Sequence, residues 1–168
     1  MAGFRSQRGG LGMIIREMMP EDRDAVQGLL IDSEAFSQEE VRVALQLVDE
    51  GLAGGCEGDY PLLVAELEGC VCGYVCIGRT PLTRSTWHLY WICVHPRAQR
   101  CGIGRALQTR VEEFIRGRGG ERIVVETSGR PDYERSRRFY ERAGYRVAGR
   151  IPGYYKPGDD CVFHYKVL

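Results

Sequence analysis

The stretch between Trp91 and Ala106 constrains this chain more than any other. Trp91-Ile92-Cys93-Val94 is an apolar strand, residues 95–101 form a polar arm, and Gly102-Ile103-Gly104 open a helix. From there Ile103, Ala106, Leu107, Arg110, Val111 and Phe114 follow the i, i+3, i+4, i+7 spacing of a helix with one buried stripe. A strand, a loop and a glycine-opened helix make an anion site. The first-turn N–H groups lack helical partners, the helix dipole favours negative oxygen, and the glycines remove side chains where a ligand must approach the backbone. A pyrophosphate fits that description. Two familiar phosphate loops do not fit the sequence: Arg105-Ala106 stands where a Walker loop needs Lys and then Ser or Thr. A dinucleotide fingerprint has its glycines directly after the strand and a third small residue where Leu107 stands. The alternative is that Gly102 and Gly104 merely close a tight loop.

Around this stretch the chain reads as one domain over residues 12–168, since 168 residues suit a single core. Residues 1–11 read as a polar, Gly/Arg-rich mobile tail. Met13, Ile14, Ile15 and Met18 mark a first strand, and Pro20 opens a helix to about Leu30. Ser37-Gln38-Glu39-Glu40 has capping-box spacing ahead of Val41, Leu45 and Val48, and residues 51–58 read as the loop that ends this helix. Residues 61–67 and 71–77 form an antiparallel hairpin across Glu68-Gly69, followed by a strand over 87–94. After the glycine-opened helix come a strand over 121–127, a helix capped by Asp132 and running to Ala143, and two last strands near 145–151 and 161–167. The fold class is therefore α/β (α+β), a mixed sheet with helices packed on it.

Lys+Arg and Asp+Glu both number 23, so no global field draws the chain to nucleic acid or anionic lipid. Arg130, Arg135, Arg137 and Arg138 read as a solvated helix face balanced by Glu134 and Glu141. No apolar run is long enough for a membrane span, and the N-terminus lacks a secretory apolar stretch. Seven cysteines, mostly inside apolar runs, imply small core residues and a reducing cytoplasm. Cys70-Val71-Cys72 has no second ligand pair at metal spacing, so no metal is expected.

Gln99-Arg100-Cys101-Gly102-Ile103-Gly104 resembles the acetyl-coenzyme A signature Q/R-x-x-G-x-G/A of the GNAT superfamily of N-acetyltransferases. Glu126-Thr127 on a strand, followed by Ser136 to Tyr145 with Phe139-Tyr140 and Gly144-Tyr145, looks like the second half of the same superfamily. The resemblance covers residues 13–168. It implies a mixed, mostly antiparallel sheet of six to seven strands with about four helices, acetyl-CoA as co-substrate and transfer of acetyl to a primary amine. Amides from Gln99 to Arg105, with Arg97, Arg100 and Arg105 beside them, would hold the pyrophosphate. Ile92, Cys93 and Val94 would offer backbone groups to the pantetheine arm, and Ser136 would touch the cofactor.

Amine acetylation needs a base, because an alkylammonium of pKa about 10 is not a nucleophile. Glu126 is the first choice: it shares a strand face with Val124, where a purely structural strand would carry an apolar residue, although a solvated strand end would explain it too. Tyr90 and His88 stand in reserve. Tyr140 is the expected acid for the departing thiolate. It lies on the stripe Ser136, Phe139, Tyr140, Ala143, and the alternative is a core tyrosine bonded to backbone. Tyr133 stands where many members carry an Asn that contacts the cofactor.

The resemblance puts the acceptor between residues 33–37 and the loop 151–160, where Tyr154 and Tyr155 could hold a cationic amine. Asp159 and Asp160 read rather as a solvated turn. Tyr154-Tyr155 ahead of Gly158-Asp159-Asp160 also resembles the last hairpin of ribosomal-protein N-terminal acetyltransferases. A small-molecule amine is slightly favoured over a protein N-terminus. A non-catalytic acyl-CoA sensor is the competing class, and a homodimer stays open.

Overall fold

The computed structural model describes residues 7–8 and 12–168. Its strands are β1 (Gln7–Arg8), β2 (Met13–Glu17), β3 (Leu62–Leu67), β4 (Cys70–Arg79), β5 (Thr86–Val94), β6 (Arg122–Ser128), β7 (Arg146–Lys156) and β8 (Asp159–Val167). The helices are α1 (Arg23–Asp32), α2 (Gln38–Gly54), α3 (Ile103–Arg116) and α4 (Glu134–Arg142). One 8-stranded sheet runs in the order β1-β2-β3-β4-β5-β6-β8-β7. Only β5 and β6 pair in parallel; the other neighbours are antiparallel. The strand beyond the expected set is β1, two residues against Ile14 and Ile15. The remainder of the expected tail lies outside the described residues.

Local chemistry explains the early elements. The Ser37 hydroxyl accepts from Glu40 N–H while the Glu40 carboxylate accepts from Ser37 N–H at 2.7 Å, closing the capping box. Glu68 (φ 51°) and Gly69 (φ 83°) give the β3–β4 hairpin the left-handed pair that matches strand twist. Strands β3 and β4 are apolar almost throughout because both faces are covered. Val75 and Ile77 join the core under α3 and α4, and Tyr74 and Cys76 join the one under α1 and α2.

Three boundaries differ from the sequence reading. Most of the loop expected over 151–160 is strand, since β7 runs on to Lys156 and β8 starts at Asp159, leaving Pro157-Gly158 as the turn. Helix α2 continues through Gly51 to Gly54, because Gly51 serves close packing and does not break the helix: a Cβ there would sit 2.7 Å from Leu62 Cδ1. Asp132 does not cap α4. It lies in a 3-10 turn, Pro131–Tyr133, and its carboxylate accepts from Arg130 Nε at 3.0 Å. Four cysteines (72, 76, 93 and 161) are buried, as core residues should be, whereas Cys70 and Cys101 are exposed.

Candidate active site

The site begins with a failure of pairing. β5 and β6 match only at Thr86–Arg122, Trp87–Ile123 and His88–Val124, after which the two strands part. β4 meanwhile holds β5 as far as Val94, with Tyr90 unmatched between Leu89–Ile77 and Trp91–Cys76. That bulge bends β5 away from β6 and opens a cleft between them. His95 N–H donates to Cys72 O at 2.8 Å, which fixes the alternation of the ladder. Cys93 turns its backbone to Tyr74 on β4, while Ile92 and Val94 turn theirs into the cleft. Of the three residues expected to offer backbone groups, Ile92 and Val94 have theirs on the cleft side and Cys93 does not. Cys93 packs its thiol towards α1, with Sγ 4.0 Å from Leu29 O.

Beyond β5 the chain makes a 3-10 turn, Pro96–Ala98, and enters α3 through Arg100 (φ 66°) and Gly102 (φ 81°). These left-handed residues flank Cys101, and the amides of residues 100–105 meet no backbone acceptor among the described residues. A Cβ at Gly102 would face open space. Arg97, Arg100 and Arg105 are exposed around this turn, whereas Ile103 is 2% exposed and anchors it in the core. The Gln99 side chain acts as a strut: its Nε2 donates to Val94 O at 3.1 Å. Sequence spacing marked Gln99 but not this job. An array of free amides, open space above a glycine and three exposed guanidiniums suits a diphosphate, so the residues present fit the coenzyme A that the signature implies.

Helix α4 packs against the start of α3. A Cβ at Gly104 would lie 3.2 Å from Phe139 Cε2, so glycine is what lets the two helices meet here. The next residue, Tyr140, is 5% exposed and stacks among Phe139, Tyr145 and His164 at ring separations of 5.3, 5.4 and 5.9 Å. Its hydroxyl makes no hydrogen bond among the described residues, unlike that of Tyr145, which accepts from Gln108 Nε2 at 2.6 Å. The core-tyrosine alternative, a hydroxyl bonded to backbone, therefore does not describe Tyr140. Burial pushes that hydroxyl well above the ordinary phenol range, so it keeps its proton. Ser136 is exposed in the first turn of α4.

On the opposite face of the sheet, Glu126 pairs across strands with Phe163 and is half-buried, not solvated. Burial raises its pKa. The Cys161 Sγ lies 4.0 Å from Glu126 Oε2, and the Tyr155 hydroxyl donates to Cys161 Sγ at 3.6 Å. His88 stacks on Tyr90 with centroids 4.5 Å apart, and burial lowers the His88 pKa and raises that of Tyr90. All three proposed proton handlers, Glu126, His88 and Tyr90, thus gather on one wall. The thiols there are poor thiolates: burial pushes Cys93 up to about 11 and raises Cys161.

The hairpin acids are not solvated. Asp159 is 5% exposed and accepts from the Ser128 hydroxyl, with Arg130 3.7 Å away. Asp160 accepts from Gly153 N–H at 2.9 Å and pairs with Arg150 at 3.2 Å. Asp159 thus ties the β7–β8 turn to the end of β6, and Asp160 ties the start of β8 to β7. Tyr154 and Tyr155 remain half exposed, at 50% and 48%. Tyr133, in the position of the family's Asn, donates its hydroxyl to Glu40 Oε1 at 2.8 Å and so bridges the start of α2 to the entry of α4. Arg137 is no solvated charge either: its Nη1 donates to Ser128 O at 2.6 Å and Arg130 O at 2.9 Å, clamping the loop that leads to α4. Neither contact had a local sequence signal, because each joins residues from separate elements.

The model of the family described as "Acetyltransferase (GNAT) family" matches residues 23–145. An uncharacterized N-acetyltransferase of Methanocaldococcus jannaschii is 32% identical over 160 residues, covering 92% of this chain and 91% of that protein. A crystal structure of a GNAT-family protein from Desulfovibrio desulfuricans superposes with a TM-score of 0.88 at 37% identity, covering 92% of this chain and 98% of the other. An aminoglycoside 6'-N-acetyltransferase complexed with coenzyme A shares the fold alone, with a TM-score of 0.70 at 18% identity over 92% of this chain and 96% of that one. With the parted strands, the amide-lined turn and the glycine-mediated contact of α3 with α4 already in place, these likenesses settle the assignment: the chain belongs to the GNAT acetyltransferase family.

Proposed function

We propose that the chain moves an acetyl group from acetyl-CoA to a primary amine by direct attack within a ternary complex. One observation carries this reading: the cleft between β5 and β6 joins the amide-lined turn of residues 100–105 at one end to a wall bearing a half-buried carboxylate, Glu126. When bound, the co-substrate supplies an activated acetyl thioester. The turn amides with Arg97, Arg100 and Arg105 would hold its diphosphate, and the inward groups of Ile92 and Val94 would hold its arm in the manner of an added strand. Ser136 lies at the rim and is assigned only a peripheral contact.

Glu126 takes the proton from the acceptor ammonium. Its raised pKa brings it nearer to that of the amine and makes it a stronger base than a solvated carboxylate. Tyr140 holds the proton that the departing sulfur needs, and burial keeps that proton on the hydroxyl oxygen at neutral pH. A route through Cys93 is disfavoured because burial holds that thiol protonated, as it does Cys161, while the other candidate, Cys101, is exposed in the turn assigned to the diphosphate and has no base fixed beside it. Tyr154 and Tyr155 stand at the acceptor side. A small-molecule amine is the acceptor we place first. A protein N-terminus is the second reading, favoured by the exposed tyrosine pair on the hairpin.

Thiol release from acetyl-CoA, screened against amine and peptide panels, tests the proposal. Intersecting double-reciprocal plots are expected; parallel plots with acetyl label retained on the protein would refute direct transfer.

A further inference from the structure

The wall around Glu126 is rich in rings and poor in available charge. Phe163 is its cross-strand partner, and Val124, one face position along β6, opposes Tyr165 on β8 and His88 on β5. The Tyr154 ring meets Phe163 edge-on at 6.2 Å and Tyr155 at 5.0 Å, and Tyr60 meets Tyr90 at 5.5 Å. Opposite Phe163 on β7 stands Gly149, where a Cβ would touch nothing within 4 Å, so open space lies beside the Phe163 ring. Four acids at the margins are engaged elsewhere, while Glu34 in the segment 33–37 and Asp59 beside Tyr60 are exposed and unpaired among the described residues. Asp159 is held by Ser128 and Arg130, and Asp160 by Gly153 N–H and Arg150. Glu40 is held by Ser37 N–H and Tyr133, and Asp32 lies 3.5 Å from His95 Nε2. Among the described residues the one hydrogen-bond contact of the Glu126 carboxylate is the weak thiol of Cys161.

We propose that this wall selects acceptors bearing one ammonium beside an aromatic or bulky apolar group, and discriminates against polycations. Glu126 receives the single ammonium, Tyr155, whose hydroxyl meets the same Cys161 thiol as Glu126, flanks it, and Phe163 with Tyr154 receives the apolar part. A second ammonium lying where the apolar part belongs would be desolvated against Phe163 and Tyr154, where the neighbouring Asp160 is already held by Gly153 N–H and Arg150. Phe163 and Tyr154 thereby become specificity-determining residues. The inference rests on the acetyl-transfer reading and narrows its acceptor.

Three probes test it at fixed pH and salt in thiol-release assays: 2-phenylethylamine, a tetrapeptide amide beginning with Phe whose only charge is its N-terminus, and spermidine. One or both single-charge probes should exceed spermidine in kcat/KM by at least about 30-fold, the cost of one poorly paired buried charge. Whichever of the two leads identifies a free amine or a peptide as the source. Tyr154→Glu, at a half-exposed position where folding is not at stake, places a second carboxylate on the wall and should shift the ratio towards spermidine at least about fivefold. Wild-type preference for spermidine, or a ratio unmoved by Tyr154→Glu, overturns the inference and leaves acetyl transfer standing. Calorimetry with coenzyme A separates the two layers: a folded chain that gives no binding heat and releases no thiol with any probe sinks both.

Discussion

Replacing Tyr140 by Phe removes one hydroxyl and leaves its ring contacts with Phe139, Tyr145 and His164 in place. In the folded chain that hydroxyl makes no hydrogen bond among the described residues, yet its oxygen is not sealed from solvent, so removing it neither breaks a bond nor relieves a buried unsatisfied donor. Tyr140→Phe should therefore keep its stability to within about 0.5 kcal/mol, a change in Tm of no more than about 1–2 °C for a domain of this size. Catalysis should change far more. Loss of the acid predicts at least a tenfold fall in kcat, about 1.4 kcal/mol of barrier, with little change in the Kd for coenzyme A. Burial raises the hydroxyl's pKa, so the defect should stay constant from about pH 6 to 9 and not grow through a titration. Tyr145→Phe is the control: it strips a 2.6 Å bond from Gln108 and should cost about 1–2 kcal/mol of stability with turnover nearly intact. The measurements are thiol release for kcat, calorimetry for Kd and circular dichroism for Tm. Equal turnover in wild type and Tyr140→Phe across the pH range removes Tyr140 from the chemistry. A Tm lowered by several degrees shows instead that the hydroxyl was bonded and that the structural argument is wrong.

Three further outcomes follow from the same geometry. Because burial raises the Glu126 pKa, kcat/KM should fall with decreasing pH through a value above the ordinary carboxylate range, and Glu126→Gln should lower kcat/KM about 100-fold and abolish that limb; an unchanged limb assigns the base elsewhere. Gln99→Ala cuts the strut to Val94 O and should raise the KM for acetyl-CoA about three- to tenfold with Tm altered by less than about 2 °C, read by initial rates and thermal melts. His164 is fully buried with neither ring nitrogen bonded among the described residues, and burial lowers its pKa. The unfolded chain then binds the extra proton first, so stability should fall as pH drops below about 6.5, and His164→Phe should flatten that slope in melts taken across pH.

Much of this molecule was legible in short windows of sequence. The capping box at Ser37, the Glu68-Gly69 hairpin and the glycine-opened helix after Val94 each depend on residues within a few positions of one another, so periodicity and turn chemistry reveal them directly. The turn at residues 100–105 was legible for the same reason, since its amides are exposed by the local path of the chain. What the windows could not supply was contact between elements far apart in sequence. Whether β5 and β6 stay paired or part depends on a bulge opposite β4 and on β8 entering between β6 and β7. That parting decides that Ile92 and Val94 face the cleft while Cys93 does not. Long-range packing likewise turned Asp159, Asp160 and Arg137 from presumed solvated charges into parts of the scaffold, and left Glu126 half-buried with its oxygen beside a thiol. Sequence alone determined the kinds of element and the place of the glycine-opened turn, because those follow from neighbours along the chain. Tertiary structure alone decided which groups are desolvated, which are paired and which remain free to react, because burial and charge pairing belong to neighbours in space.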